Sequence, residues 1–140
     1  MTFPLLLICA ILLGFAAYVR LVPSNPEKWH ISPTVDAPWD TVLAGRGSAA
    51  LRLSPAKGAP ADLLARLDAL AMATPRTMRL AGSVAEGRIT WITRSALWGF
   101  PDYTTAEARP DGLYILSRLR FGSEDMGVNA ARLTDWLSRL

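Results

Sequence analysis

The chain has 140 residues, 15 of them Lys or Arg and 12 Asp or Glu, for a net charge of +3 at neutral pH. Once a hydrophobic N-terminal stretch of roughly 20 residues is set aside, this length leaves room for one compact domain and not two. Lysine occurs only at Lys28 and Lys57 and the arginines are dispersed, so the excess charge forms neither a basic run nor a basic-aromatic stripe, and no nucleic-acid partner is expected.

Phe3 to Val19 reads FPLLLICAILLGFAAYV, without a charge. At 1.5 Å per residue it covers about 26 Å of a hydrocarbon layer roughly 30 Å thick. Arg20 can snorkel while Leu21 and Val22 complete the crossing. Residues 1–22 are therefore expected to form one transmembrane helix, with Phe3, Leu12 and Val19 marking its start, middle and end. A retained anchor is favoured over a cleaved signal, since no Lys or Arg precedes the run and Gly14, Ala16 and Ala17 offer only a poor small-x-small site. The sole cysteine, Cys9, lies inside the run and follows Ile8, which excludes an intrachain disulfide and argues against lipidation. Arg20 and Lys28 after the helix favour a cytoplasmic domain, whereas the very short N-terminal tail favours export. The expected placement is the bacterial inner membrane, with the domain on the periplasmic side.

Residues 23–47 carry Pro23, Pro26, Pro33 and Pro38. Proline fixes φ and removes donors, so this juxtamembrane segment is expected to be extended and irregular. Trp29, His30 and Trp39 interrupt its polarity; docking of the tryptophans onto the domain is favoured over a place among lipid headgroups.

From residue 48 to 140 the pattern predicts a small α+β domain. Ser48–Ser54 suits a short strand, and Leu63, Leu64, Leu67 and Leu70 mark a helix from Pro60 to Ala73, closed by Thr74-Pro75. Strands follow at 76–82 and 88–96 around the turn Ala85-Glu86-Gly87, then at 102–108 and 113–121 around the turn ARPDG. A last helix from Met126 buries Leu133, Trp136, Leu137 and Leu140. The order β-α-β-β-β-β-α implies a two-layer domain, an antiparallel meander with both helices on one face. The other face is left for solvent, the membrane or a partner.

Two segments, TRSALWGFPDY (Thr93 to Tyr103) and SRLRFGSEDMGVNAARLTDWL (Ser117 to Leu137), resemble the domain-of-unknown-function family 1499. Its members share an R-S-x-x-x-G-F-x-D segment and an S-R-x-R-x-G-x-x-D-x-G-V-N-x-x-R-V segment; Leu133 stands here where valine is commoner. The resemblance implies a bacterial or plastid-type envelope domain, often behind a hydrophobic N-terminus, with no established activity and no catalytic residue to carry over.

The candidate site residues fall in these segments. Arg118 and Arg120, two apart on a strand, share a face, and Arg94 joins them from an earlier strand. With Asp102, Glu107 and Asp125 they form either an ion-pair network that fixes strand register or, with the N-terminus of the last helix, an anion or headgroup pocket. Asp125 is the natural cap of that helix, which competes with ligand binding. Asn129, one turn before Leu133, is expected to face inward and bond a loop or an arginine, and Arg132 to pair with Asp102 or Asp125. The corner Trp98-Gly99-Phe100-Pro101 serves either as a core plug or as a contact for lipid or protein.

Enzymatic chemistry has little to work with. His30 is the sole histidine and Cys9 lies in the hydrophobic run, so neither a histidine-based nucleophile system nor a His/Cys metal site assembles, and no cofactor is expected. The favoured reading is a membrane-anchored non-catalytic accessory domain in the bilayer, partnered by an integral membrane protein complex. The alternatives are an envelope lipid- or anion-binding domain using the arginines, and a carboxylate-dependent hydrolase using Asp102 and Asp125.

Overall fold

A computed structural model of the chain describes residues 2–140; Met1, with which the expected anchor begins, lies outside the described residues. Helix α1 (Thr2–Leu21) occupies the uncharged stretch. Its Phe3–Leu21 portion, with a mean hydropathy of 2.2, is long and apolar enough to cross a membrane, and only 6% of it is buried against the rest of the chain. A helix so apolar on all sides has no polar face to turn to water.

The proline-rich stretch departs from the expected irregularity in two places. A single turn, α2 (Pro26–Trp29), forms because Asn25 accepts a bond from the Glu27 amide at 2.9 Å and Pro26 takes the first helical position, where its missing N–H costs nothing. Strand β1 (Leu43–Ala44) pairs antiparallel with β2 (Ser48–Leu53) at the sheet edge. Helix α3 (Pro60–Ala73) has the expected bounds. Strands β3 (Thr77–Ser83), β4 (Arg88–Arg94), β5 (Pro101–Arg109) and β6 (Gly112–Leu119) form the expected meander, and helix α4 (Val128–Arg139) ends the chain. The six-stranded antiparallel sheet runs β1-β2-β6-β5-β4-β3, so the α+β class holds and β2 returns to lie beside the last strand.

Differences at the element ends have local causes. Strand β4 stops at Arg94 because the Ser95 amide turns to the Phe100 carbonyl at 2.9 Å and closes a corner. Helix α4 begins two residues after Met126 because Met126 and Gly127 are left-handed, with φ of 52° and 80°.

Alternation along the strands sorts side chains cleanly. Leu51, Leu53, Ile89, Trp91, Leu113 and Ile115 meet Leu63, Leu67, Leu133 and Trp136 of the two helices in one buried core. Trp91 and Trp136 pack edge to face at 6.1 Å, and each indole N–H finds an acceptor, Asp68 and Thr74 respectively. The opposite face is not left open, contrary to expectation, because residues 23–39 cross it as a strap. Trp29 stacks on Tyr103 at 3.9 Å, His30 Nδ1 lies 2.9 Å from the Thr90 hydroxyl, and Trp39 sits edge-on to Tyr114 at 5.9 Å. The tryptophans thus dock as expected. An extended prolyl segment has carbonyls with no partner of their own, and the polar side chains on this face supply donors: Thr105 to Trp29 O, Arg52 to Ala37 O, Arg109 to Pro33 O.

Candidate functional site

Arg94, Arg118 and Arg120 all project from the strap side of the sheet, but not toward carboxylates. Arg118 donates to Trp29 O at 3.1 Å, its guanidinium carbon 5.1 Å from the Trp29 ring. Arg120 donates to Pro23 O and to the Tyr103 hydroxyl, each at 3.0 Å. Arg94 donates to Gly99 O at 2.9 Å and, at 3.3 Å, to Val19 O in the last turn of α1. The expected pairing with Asp102, Glu107 and Asp125 is therefore replaced by bonds to backbone carbonyls and, for Arg120, to the Tyr103 hydroxyl. Register explains part of this: Asp102 sits opposite Leu119 in the ladder and so shares the helix-side face, away from Arg118. Burial pushes the Arg118 guanidinium below its usual range, and its buried Nε has no acceptor among the described residues.

Glu107 serves the strap instead. It pairs with Arg88 at 2.9 Å and Arg109 at 2.8 Å and accepts from Ser32 at 2.5 Å. Burial alone raises its carboxyl, but the bonds from Ser32, Arg109 and Arg88 outweigh burial and hold it below the usual carboxylate range.

On the helix side a second polar network joins α4 to the sheet. Asn129 is fully buried, as expected, and accepts from Arg132 Nη1 and from Ser117 Oγ, both at 2.6 Å. Arg132 Nη2 pairs with Asp102 Oδ2 at 3.1 Å. Asp125 spends both oxygens on the start of α4: Oδ1 accepts from the Gly127 amide at 3.0 Å, Oδ2 from the Asn129 amide at 3.0 Å and its side-chain nitrogen at 2.6 Å. The N-cap position is Gly127 and not Asp125 as expected, yet Asp125 reaches from two residues upstream and takes amides that an anion at this helix end would need. Burial raises the Asp102 carboxyl above its usual range despite Arg132, and Asp125 adds to the shift. One carboxylate is ion-paired and the other is committed to the start of α4, which leaves a poor acid-base couple although both line one cavity. Among the described residues no three or more His, Cys, Asp or Glu side chains gather as metal ligands.

The aromatic corner is neither a core plug nor a free contact. Phe100 and Trp98 lie 6.0 and 6.4 Å from Phe15 of α1, and Phe121 lies 6.2 Å from Tyr18. Arg20 locks the joint by donating to Leu97 O at 2.7 Å. Val19 is buried here while most of α1 is exposed. Beside the clamp opens a cavity of about 780 Å³ whose walls include Phe15, Leu97, Trp98, Phe100, Phe121 and Met126. Leu97 and Met126 are 75% and 91% exposed, too open for core residues, so this rim is a surface. Sequence reasoning missed Phe15, Tyr18 and Tyr103; the three-residue spacing of Phe15 and Tyr18 is the one signal that places them on a common helix face.

The strap is held chiefly through Trp29. Trp29→Ala is expected to weaken its docking by about 2 kcal/mol through lost stacking and burial. Tryptic cleavage after Lys28 should then speed up by about tenfold or more. An unchanged first cut, mapped by mass spectrometry, would remove Trp29 from this role.

The model of a family described as a protein of unknown function (DUF1499) matches residues 30–140, in line with the resemblance carried by the two motifs. No curated protein and no solved structure matches the chain. In structural terms, the motif Thr93–Tyr103 supplies the aromatic corner and Asp102, and the motif Ser117–Leu137 supplies Arg118, Arg120 and the Asp125–Asn129–Arg132 network.

Proposed function

The chain belongs to the DUF1499 family, and from that premise we propose that it is a single-pass membrane protein whose domain is a non-catalytic accessory module. It docks an apolar segment of a larger integral membrane assembly beside its own helix. The observation that carries this reading is the clamp: Phe15, Tyr18, Arg20 and Arg94 fix the domain to α1, and the 780 Å³ apolar cavity opens at that joint. A domain free to swing on a flexible linker presents no constant surface to a partner in the bilayer; a clamped one does. Leu97 and Met126 on the rim are apolar anchors of the kind that interfaces bury. The anion site read from the sequence is weakened because its arginines do not converge, Arg118 and Arg120 turning to Trp29 O and Pro23 O of the strap and Arg94 to Gly99 O and Val19 O, and the hydrolase reading by the commitment of Asp125 to the start of α4.

Photo-crosslinking residues placed at Leu97 and Met126 in native membranes are expected to yield one discrete protein adduct, absent when the probe sits at the exposed Asp62 of α3. Adducts with lipid alone, together with a monomeric size in every mild detergent, would overturn the reading.

The domain belongs, on this proposal, on the periplasmic side of a bacterial inner membrane. Alkaline phosphatase fused after Leu140 should then be active and a fluorescent protein in the same place dark. The opposite pair of results overturns the orientation and leaves the docking proposal standing.

A further inference from the structure

A second groove, of about 520 Å³, adjoins the apolar cavity at the 95–99 loop. Arg20, Arg76 and Arg94 line it together with Thr77 and Ser95, and no carboxylate is among its lining residues. None of the three arginines takes part in a salt bridge among the described residues. Three like charges around one hollow repel, and a cluster of this kind is stable only when something else orders it or an anion fills it.

Backbone carbonyls do the ordering. Arg20 donates through Nη1 to Ala16 O and through Nη2 to Leu97 O; Arg94 donates through Nη1 alone, to Val19 O and Gly99 O; Arg76 donates through Nε to Arg94 O at 3.0 Å. A guanidinium carries five N–H donors. Both terminal nitrogens of Arg76, and Nε and Nη2 of Arg94, are therefore left over with no carboxylate to take them. Arg76 also holds a left-handed backbone at φ 57°, a conformation that costs a non-glycine residue energy and that concentrates at functional positions. The exchange of its carbonyl for the Arg94 amide at 2.9 Å keeps it there.

We propose that Arg20, Arg76 and Arg94 form a binding site for a phosphate group. Paired terminal N–H donors match phosphate oxygens in bidentate fashion, which is why arginine is favoured wherever a phosphate is gripped rather than merely attracted. Arg20 lies in the last turn of α1, where a helix crossing the bilayer leaves the hydrocarbon, the depth at which lipid phosphates lie. The groove and the apolar cavity share Ser95 and Ala96 as a common wall. The site differs from the arginine set read from the sequence, of which only Arg94 belongs to it. It rests on the membrane placement above only for the source of the phosphate.

The test uses the full chain in a neutral detergent. Inorganic phosphate and pyrophosphate are titrated while melting is followed, and native mass spectrometry of chain in nanodiscs compares phosphatidylglycerol with phosphatidylcholine alone. The expected result is retention of phosphatidylglycerol, weakened at least about tenfold by Arg76→Asn, whose amide side chain tolerates the left-handed backbone, and unaffected by Arg66→Gln on the far side of α3. Arg76→Gly repeats the test should the Asn variant fail to fold, since glycine takes the left-handed backbone without strain. Binding of the lipid without inorganic phosphate assigns the site to a headgroup; binding of inorganic phosphate assigns it to free phosphate, and does so even if no partner is ever cross-linked at Leu97. No binding in either arm, or an equal loss in Arg66→Gln, overturns the proposal.

Discussion

Gly82→Ala is expected to destabilise the domain by about 2–5 kcal/mol, combining a left-handed backbone penalty with overpacking. Gly82 has φ of 88°, and a Cβ built there would stand 2.0 Å from Arg88 O and 2.6 Å from His30 Cε1. Neither neighbour yields easily. Arg88 is paired on both sides, with Ser83 of β3 and with Glu107 of β5, and its carbonyl cannot withdraw without breaking a ladder. His30 is held by Thr90, which is itself bonded to Thr105 at 2.8 Å. The missing side chain therefore makes room for the strap where it crosses β3 and β4. Burial, with Arg88 nearby, holds the His30 imidazole below its usual range, which disfavours the charged ring where the strap docks. Thermal unfolding of the full chain in detergent should shift down by roughly 10 °C or more, at about 4–8 °C per kcal/mol for a domain of this size. A shift under about 4 °C would mean that the strap relaxes freely, or that β3 does at the register shift between Arg79 and Ala81, and the close-packed account would fail. Because the strap links α1 to the sheet, the same variant should also expose Lys28 to trypsin.

How much of this was legible depended on the kind of signal. Pro60, the leucine spacing and Thr74-Pro75 carry the bounds of α3 because helix caps and periodicity are local. Two-residue alternation likewise places Leu113 and Ile115 in the core and Arg118 opposite them. The position of Asn129 one turn before Leu133 sufficed to bury it, and its arginine partner followed from the need to satisfy a buried amide. The partners of Arg94, Arg118 and Arg120 were not legible. Apart from the Tyr103 hydroxyl they are backbone carbonyls, which every residue carries, whereas for an arginine a sequence points first to carboxylates. The strap was hidden for a related reason, since proline marks extension but not the surface an extended segment covers. The spacing of Phe15 and Tyr18 puts them on one helix face, but in a run apolar on every side no contrast marks that face as packed. The left-handed backbone at Arg76 has no side-chain signature at all.

Arg132→Met should cost about 3–5 kcal/mol at neutral pH, the loss typical of stripping a buried carboxylate of its cation. Arg132 and Asp102 are 11% and 16% exposed as side chains, so solvent screens the pair little. The variant also removes one of the donors to Asn129 Oδ1, and Ser117 keeps the other. The charge account makes a prediction that the packing account does not. Asp102 already titrates above its reference value of 3.8 in the folded chain. A raised folded value means that the associated stability is complete below about pH 4 and is lost as pH rises through the folded value. Taking away Arg132 raises that value further, so the deficit of the variant should shrink on acidification toward pH 4 and grow toward pH 7. Asp102→Asn should by itself cost less, about 1–3 kcal/mol, since its amide oxygen keeps an acceptor for Arg132 but leaves that buried guanidinium without its counter-charge. Subtracting its pH profile from that of the unaltered chain isolates Asp102, because Glu107 and Asp40, both held below their usual range, titrate alike in the two. Placed on top of Arg132→Met, Asp102→Asn should recover roughly 2 kcal/mol, a coupling that a double-mutant cycle reads directly. An equal loss in the single and double variants, flat with pH, would assign the role of Arg132 to packing alone. Asp102 and Asp125 both line the apolar cavity, and Arg132 and Asn129 join them, so one network braces that wall.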